Sequence, residues 1–343
     1  MATTAGTKEQ QSIPASPPPG ETDGAQHRRD RRRVSERFRR DNPQHIRHFI
    51  SITTARGSSR FARMLPDRVR YWIADRMGDL NYLLIPGYRK NVRDNISHVY
   101  RFKGLPEPTS KDVRNVFRTS SRNWADLLVA PKRSVAQFRQ EVTMDDASVA
   151  YLDAAIARGK GCVLITAHVG AFDYIGHYLH ACGYNLTIVT GRTTARIVFD
   201  GVSYLREANG IKLVEATASG VRKAIQAVMQ GHSAVIVCDR DFFQSGMHVE
   251  FFGETTTLPP GAIRIARDTG AMIVPLYGRR VEGGHQITIH EPFAVAKTSD
   301  IQADLRDGMA KVVKSLEAGL SVTPDQWVMF QSVWPEGPPS PKG

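Results

Sequence analysis

The sequence predicts an α/β fold in which a mostly parallel central sheet carries helices on both faces, preceded by a basic amphipathic helical region. Three observations lead there. From about residue 147, short apolar, β-branched runs alternate with helical patterns of roughly 10–15 residues, the rhythm of βαβ units. The strand-like runs are apolar throughout rather than alternating, as in parallel strands buried on both faces. The charge is divided unevenly: residues 1–120 hold 24 Lys+Arg and 12 Asp+Glu, and residues 121–343 hold 22 of each. The net charge of +12 therefore belongs entirely to the first third, where a polyanion partner would be met.

Residues 1–27 are rich in Ala, Thr, Gln, Ser, Pro and Gly and are expected to be disordered. The run HRRDRRRVSERFRR (27–40) reads either as a solvated basic tail or as an anchor to acidic lipid headgroups. Together these make a disordered basic tail over 1–58. An apolar run of the roughly 18 residues needed to cross a bilayer occurs nowhere and the first 30 residues hold no signal-peptide core, so no spanning helix and no signal peptide are expected. Residues 60–102 read as helices. Val69, Trp72, Ile73, Met77 and Leu80 recur at spacings of three and four, with Arg68, Arg70 and Arg76 on other faces. That pattern suits a helix in a membrane interface or one packed on the domain. A helix over 109–129 follows, with Val113, Val116, Phe117, Trp124, Leu127 and Leu128 as its core face and Pro131 after it.

Strands are expected at 161–166, 185–189, 211–214, 233–238, 271–278 and 286–290. Helices are expected at 171–182, 194–208, 218–230, 259–269 and 300–319, and a tail at 335–343. A domain over 59–334 results, with an N-terminal helical part (59–130) and an α/β core (147–330). The three cysteines form no framework and no metal spacing, which fits a cytosol-facing protein.

Ligands of an open parallel sheet sit at the carboxyl ends of its strands. There GCVLIT runs into AHVGAFDYIGHYL. His168 stands at the strand mouth, Gly170 permits a tight turn, and Asp173 falls in the first turn of the next helix. Such a carboxylate can take the imidazole Nδ1–H and leave Nε2 as a general base. The same two residues also read as a helix-capping Asp and a satisfied core His. No G-x-S-x-G or equivalent is present, so the attacking hydroxyl belongs to the substrate. His177 and His180, three apart, lack a third ligand and read as structural, and no metal is expected.

The block AHVGAFD resembles the H-x-x-x-x-[DE] motif of the lysophospholipid/glycerolipid acyltransferase superfamily. Within it, the branch of lipid A late acyltransferases and phosphatidylinositol mannoside acyltransferases is the most similar. SYLREANG (203–210) resembles its aromatic-x-x-R-x-x-x-G element, and the stretch from CDRDFF to VPLY (238–277) resembles its longest signature. YRKNVRDNISHVY (88–100) is similar to the basic segment before the catalytic domain. The likeness extends over about residues 65–330. Ala-Phe-Asp closes the motif where many lipid A enzymes have Asn-Trp-Glu, which together with the DRD turn leans toward the mannoside branch. The polar, basic start stands where many members carry a hydrophobic anchor, which favours peripheral attachment.

The resemblance implies a glycerolipid acyltransferase-like fold and transfer of a fatty acyl group from acyl-CoA or acyl carrier protein to a hydroxyl of a glycolipid or lysolipid. No cofactor is implied, and the expected place is the cytoplasmic face of the cell membrane. On this reading His168 is the base, oriented by Asp173, and Arg206 holds the acceptor's phosphate or head. Asp239, Arg240 and Asp241 sit at the edge of the sheet that carries His168. Glu250 meets a sugar hydroxyl or a basic side chain, and Phe242, Phe243, Phe251 and Phe252 line an acyl channel or the core. Two alternatives stay open: a thioester hydrolase of the same fold, and a nucleic-acid-binding protein that uses the basic first third. Labelled acyl-CoA offered with a lipid extract separates them by its products. No recognition motif accompanies the basic charge.

Overall fold

Residues 43–191 and 196–334 are described in the computed structural model; the basic run at 27–40 and the tail at 335–343 lie outside them. Four helices come first: α1 (Pro43–Met64), α2 (Asp67–Leu84), α3 (Pro86–Phe102) and α4 (Ser110–Val129). Residues 43–58, assigned from sequence to the disordered tail, are the first part of α1. The signal was hidden because the buried face of α1 consists of small residues, Ser51, Ala55, Ser59 and Ala62, rather than large apolar ones. Pro86 opens α3 at a first-turn position, where its missing N–H costs nothing. A capping box between Thr109 and Asp112 starts α4.

α2 is turned the opposite way from an ordinary surface helix. Its buried positions are Arg70, Ala74, Gly78 and Asp79, and it lies on α4 so closely that a Cβ at Gly78 would stand 2.7 Å from the Arg118 Cα. Charged pairs flank the contact. Asp79 receives Arg114 Nε at 2.6 Å and Arg118 Nε at 2.7 Å, with Arg76 Nη2 at 2.9 Å. Asp75 receives Arg122 through two bonds of 2.6 and 2.7 Å. The hydrogen bonds from Arg118 and Arg114 hold the Asp79 carboxyl well below the usual carboxylate range. The apolar stripe therefore faces outward: Val69, Trp72, Met77 and Leu80 are exposed, Trp72 by 62%. Trp124 of α4, expected in the core, is also exposed.

A short helix α5 (Val135–Glu141) leads into the α/β core: β1 (Val142–Met144), α6 (Asp146–Ala157), β2 (Cys162–Thr166), α7 (Phe172–Ala181), β3 (Leu186–Thr190), α8 (Arg196–Glu207), β4 (Lys212–Glu215), α9 (Ala218–Met229), β5 (Ser233–Val237), the hairpin β6 (Met247–Phe251) and β7 (Glu254–Leu258), α10 (Gly261–Thr269), β8 (Met272–Val281), β9 (Gly284–Ile289) and α11 (Ile301–Val322). The seven-stranded sheet has the order β1-β9-β8-β2-β5-β3-β4. All neighbours are parallel except β8 and β9. Neither β1 nor the separate β6–β7 hairpin was expected from sequence, the first because it is three residues long and the second because TTTL carries little apolar signal.

Alternation along β2 feeds two cores. Val163 and Ile165 pack with α9, α10 and α11, while Cys162 and Leu164 pack with Tyr174 and Tyr178 of α7. After α11 and a 3₁₀ turn at Pro324–Gln326, residues 327–334 return to the sheet and lie against α3. There the buried Asn95 donates to the carbonyls of Met329 (3.0 Å) and Gln331 (2.8 Å) and accepts from the Val333 N–H.

Gly78→Ala is expected to destabilise the protein by about 1–3 kcal/mol, because the added methyl meets backbone of α4 rather than a movable side chain. Denaturant unfolding of the variant checks this.

Candidate active site

β2 and β5 are parallel neighbours with Thr166 opposite Val237. Each strand ends there, and two positions on stand His168 and Asp239. The pair thus emerges side by side at the carboxyl edge of the sheet because the two strands end in register. His168 Nδ1 lies 2.9 Å from Asp239 Oδ1, and the His168 backbone N–H donates to Asp239 Oδ2 at 2.8 Å. The Trp327 indole Nε1–H reaches the same Oδ2 at 2.8 Å. Asp239 is 0% exposed, whereas the His168 side chain is 36% exposed. Among the described residues no side chain bonds its Nε2. The Phe172 ring stands edge-on to the imidazole at 5.4 Å.

The electrostatics follow from this geometry. Burial by itself would raise the Asp239 carboxyl, but the imidazole charge and three hydrogen bonds hold it below its usual value. Burial would lower His168, yet the Asp239 charge and hydrogen bond outweigh it and raise the imidazole above its ordinary value, with Asp173 adding and Arg206 opposing. His168 is thus a base strengthened by a buried carboxylate, with its second ring nitrogen accessible.

The pairing anticipated from the five-residue spacing, His168 with Asp173, is not the one the structure makes. Asp173, in the first turn of α7, receives Arg206 through two bonds of 2.7 and 2.9 Å. Arg206 is in the last turn of α8, so this fork ties the two helices that flank β3. The guanidinium expected to hold a lipid head is engaged with protein instead. The spacing was misleading because both Asp173 oxygens are taken by the Arg206 fork, so that Asp173 acts on His168 only through its charge. Signal for the true partner lay in the DRD triplet, which the sequence placed at the same edge without ranking its members.

The other members of the triplet diverge. Arg240 donates to Gln331 Oε1 at 3.0 Å and lies over the Phe242 ring, and burial lowers its pKa. Asp241 accepts from the Gly246 N–H (2.7 Å) and the Thr257 hydroxyl (3.0 Å), closing its own loop onto β7. Glu250 is exposed on β6, and its charge adds to burial in raising the Glu317 carboxyl of α11. Phe251 and Phe252 are buried with Trp327 and Trp334, whereas Phe243 is exposed beside Phe242. His180 bonds the carbonyl of Asn209 at 2.7 Å. His177 is buried with both ring nitrogens unbonded, and burial brings its pKa down to about 4.

Two features hold the loop after β2 in place, one of them the glycine turn expected from sequence and the other missed by it. Gly170 has φ +57°, and a Cβ there would stand 2.1 Å from the Gly278 carbonyl oxygen, so glycine is required on both counts. Trp327 carried no signal, because nothing in the sequence places residue 327 beside residue 239.

The model of the bacterial lipid A biosynthesis acyltransferase family matches residues 42–336. The phosphatidylinositol mannoside acyltransferase of Mycobacterium tuberculosis (strain CDC 1551 / Oshkosh) is 24% identical over 259 residues, covering 74% of this chain and 79% of the relative. The protein of the same name from Mycolicibacterium smegmatis is 23% identical over 254 residues, covering 72% and 80%. A lipid A biosynthesis acyltransferase of Haemophilus influenzae is 23% identical over 181 residues, covering 52% and 55%. The matched region takes in all four leading helices and the whole sheet, and with that extent the chain belongs to the bacterial lipid A biosynthesis acyltransferase family.

Proposed function

We propose that this acyltransferase moves a fatty acyl group from an acyl thioester to a hydroxyl of a glycolipid at a membrane surface, with His168 as general base and Asp239 as the carboxylate that orients it. The observation that carries this reading is the imidazole held at Nδ1 by a buried carboxylate while Nε2 stays accessible. Nε2 takes the proton of the acceptor hydroxyl as its oxygen attacks the thioester carbonyl. The tetrahedral intermediate collapses with loss of the thiolate, which takes the proton back from the imidazolium. Asp239 stabilises that imidazolium through its charge. Ala171, before α7, provides no side-chain cap, so the first backbone N–H groups of that helix are candidates for the oxyanion. Arg240, beside the dyad and partly desolvated, is the candidate for an anionic group of donor or acceptor.

The names of the relatives support a glycolipid acceptor of the phosphatidylinositol mannoside or lipid A kind. Either acyl-CoA or acyl carrier protein suits the chemistry as donor. In this reading Asp173 and Arg206 serve the site by fixing α7 against α8 and so the loop that carries His168.

Membrane attachment is supported by the inverted α2. Its exposed Val69, Trp72, Met77 and Leu80, with Trp124 of α4, offer an apolar face that no described residue covers. Beside it, three arginines converge on the single Asp79, leaving local positive charge for acidic headgroups. Among the described residues no helix is long and apolar enough to cross a membrane.

His168→Ala and Asp239→Asn should each lower turnover about 10²–10⁴-fold in folded protein. The assay is transfer of label from palmitoyl-CoA to lipids of a total extract; turnover near normal in either variant overturns the dyad. Only the neutral imidazole is a base, so kcat/KM should rise with pH and level off above the ordinary imidazole range, given the raised His168. In Asp239→Asn the residual activity should reach its plateau at lower pH, since the charge that raises His168 is gone.

For Arg206, both Arg206→Ala and Asp173→Ala should destabilise the fold by about 1.5–3 kcal/mol, the pair being only partly buried, and the double variant by less than the sum. Label transfer and thioester hydrolysis should fall together in Arg206→Ala; selective loss of transfer would return Arg206 to acceptor binding.

Trp72→Ser combined with Leu80→Ser should reduce sedimentation with vesicles containing acidic phospholipid at least fivefold while the fold is kept. Unchanged sedimentation would remove α2 from the membrane contact. Deleting residues 1–42 should weaken the salt-sensitive part of the same binding.

A further inference from the structure

The third donor to Asp239 comes from a stretch in which no motif had been recognised. Trp327 is completely buried, edge-on to Phe251 at 6.3 Å and to Trp334 at 6.3 Å, and its indole N–H ends 2.8 Å from Asp239 Oδ2. The segment around it is clasped to the loop that carries His168. Val328 N–H donates to the His168 carbonyl at 2.7 Å, Gly170 N–H donates to the Gln326 carbonyl at 3.1 Å, and Val169 bridges Trp327. From the far side Asn95 of α3 holds Met329, Gln331 and Val333. The indole is thus fixed in a rigid strap, and as a donor only it has no competing role toward the carboxylate.

We propose that Trp327 is a positioning residue of the acyl-transfer site, its indole N–H fixing the second oxygen of Asp239 so that the first stays in line with His168 Nδ1. The proposal rests on His168 and Asp239 being the base and its orienting partner. A carboxylate turns about its Cβ–Cγ bond, and one donor on Oδ2, the His168 backbone N–H, would leave that rotation poorly restrained. Without the indole the carboxylate can turn out of that line, and the charge-assisted bond from His168 Nδ1–H to Asp239 Oδ1 weakens. The other charged and titratable groups facing the pair stay in place in such a variant: Asp173 and Arg206 on α7 and α8, Arg240 in the same loop, and Tyr277 of β8, whose hydroxyl is engaged with Ser315.

The test is Trp327→Phe in the full chain, which keeps the aromatic packing and removes the N–H. Should phenylalanine not support folding, benzothienylalanine at 327 keeps the indole's shape without the donor. Histidine-labelled protein is titrated by NMR, with His168→Ala to assign the resonance. The expected result is a downward shift of the His168 pKa by about one unit, together with an Nδ1–H resonance moved toward that of a weaker hydrogen bond. A His168 titration and Nδ1–H resonance unchanged from the parent protein overturn the proposal, because a purely packing role for Trp327 moves neither. Turnover of His168→Ala is measured separately: activity retained there removes the base assignment, whatever the titration shows for Trp327.

Discussion

A carboxylate with no exposed surface, Asp239, is the feature around which the catalytic edge is arranged. Burying such a charge is tolerable only where hydrogen bonds and an opposite charge replace water. Here the replacement comes from three N–H groups, two of His168 and one of Trp327, at 2.8 to 2.9 Å. Each such bond to an ionised group is worth about 1.5–3 kcal/mol, so the carboxylate stays charged and its partner imidazole is drawn toward the protonated form. The donors come from two separated parts of the chain and the carboxylate from a third, and the requirement to satisfy one ion holds those three parts together. Chemistry and local stability therefore share the same contacts.

The loop after β2 shows how little freedom that arrangement leaves. Gly170 must be glycine because the Gly278 carbonyl approaches it, and the backbone on either side of Val169 is bonded to residues 326 and 328. The fork between Asp173 and Arg206 fixes the start of α7 on the other side. His168 is consequently placed by rigid neighbours rather than by the loop's own preferences, as the proposed role of general base requires.

The helical region follows a different logic. In α2 the small and charged residues face the protein and the large apolar ones face out. That is unfavourable in water and suits the lipid interface proposed above, at which large apolar side chains enter the acyl boundary and arginines stay at the headgroups. Close approach at Gly78 and the forked pairs of Asp75 and Asp79 provide the adhesion that an apolar face would otherwise supply. The arrangement explains how a domain devoted to lipid chemistry keeps its hydrophobic surface away from its own core.

Read alone, the sequence yields the α/β class, most strands and helices from residue 109 onward but not α5, β1, α6 or the β6–β7 hairpin, and the strand end at which His168 stands. Those are local properties: apolar runs and helical periods are written in neighbouring residues, and the strand mouth is found where such a run stops. Local reading failed where small residues formed the buried face, as in α1, and where charged residues did so, as in α2. Tertiary structure alone decided which carboxylate meets His168. Asp173 is five residues away along the chain and Asp239 seventy-one, yet β2 and β5 lie side by side and end in register, so the distant residue is the neighbour. Strand order is set by how helices pack across the sheet, and no spacing in the sequence records it. The same holds for Trp327, whose place beside Asp239 depends on the last segment returning along α3 to the sheet edge.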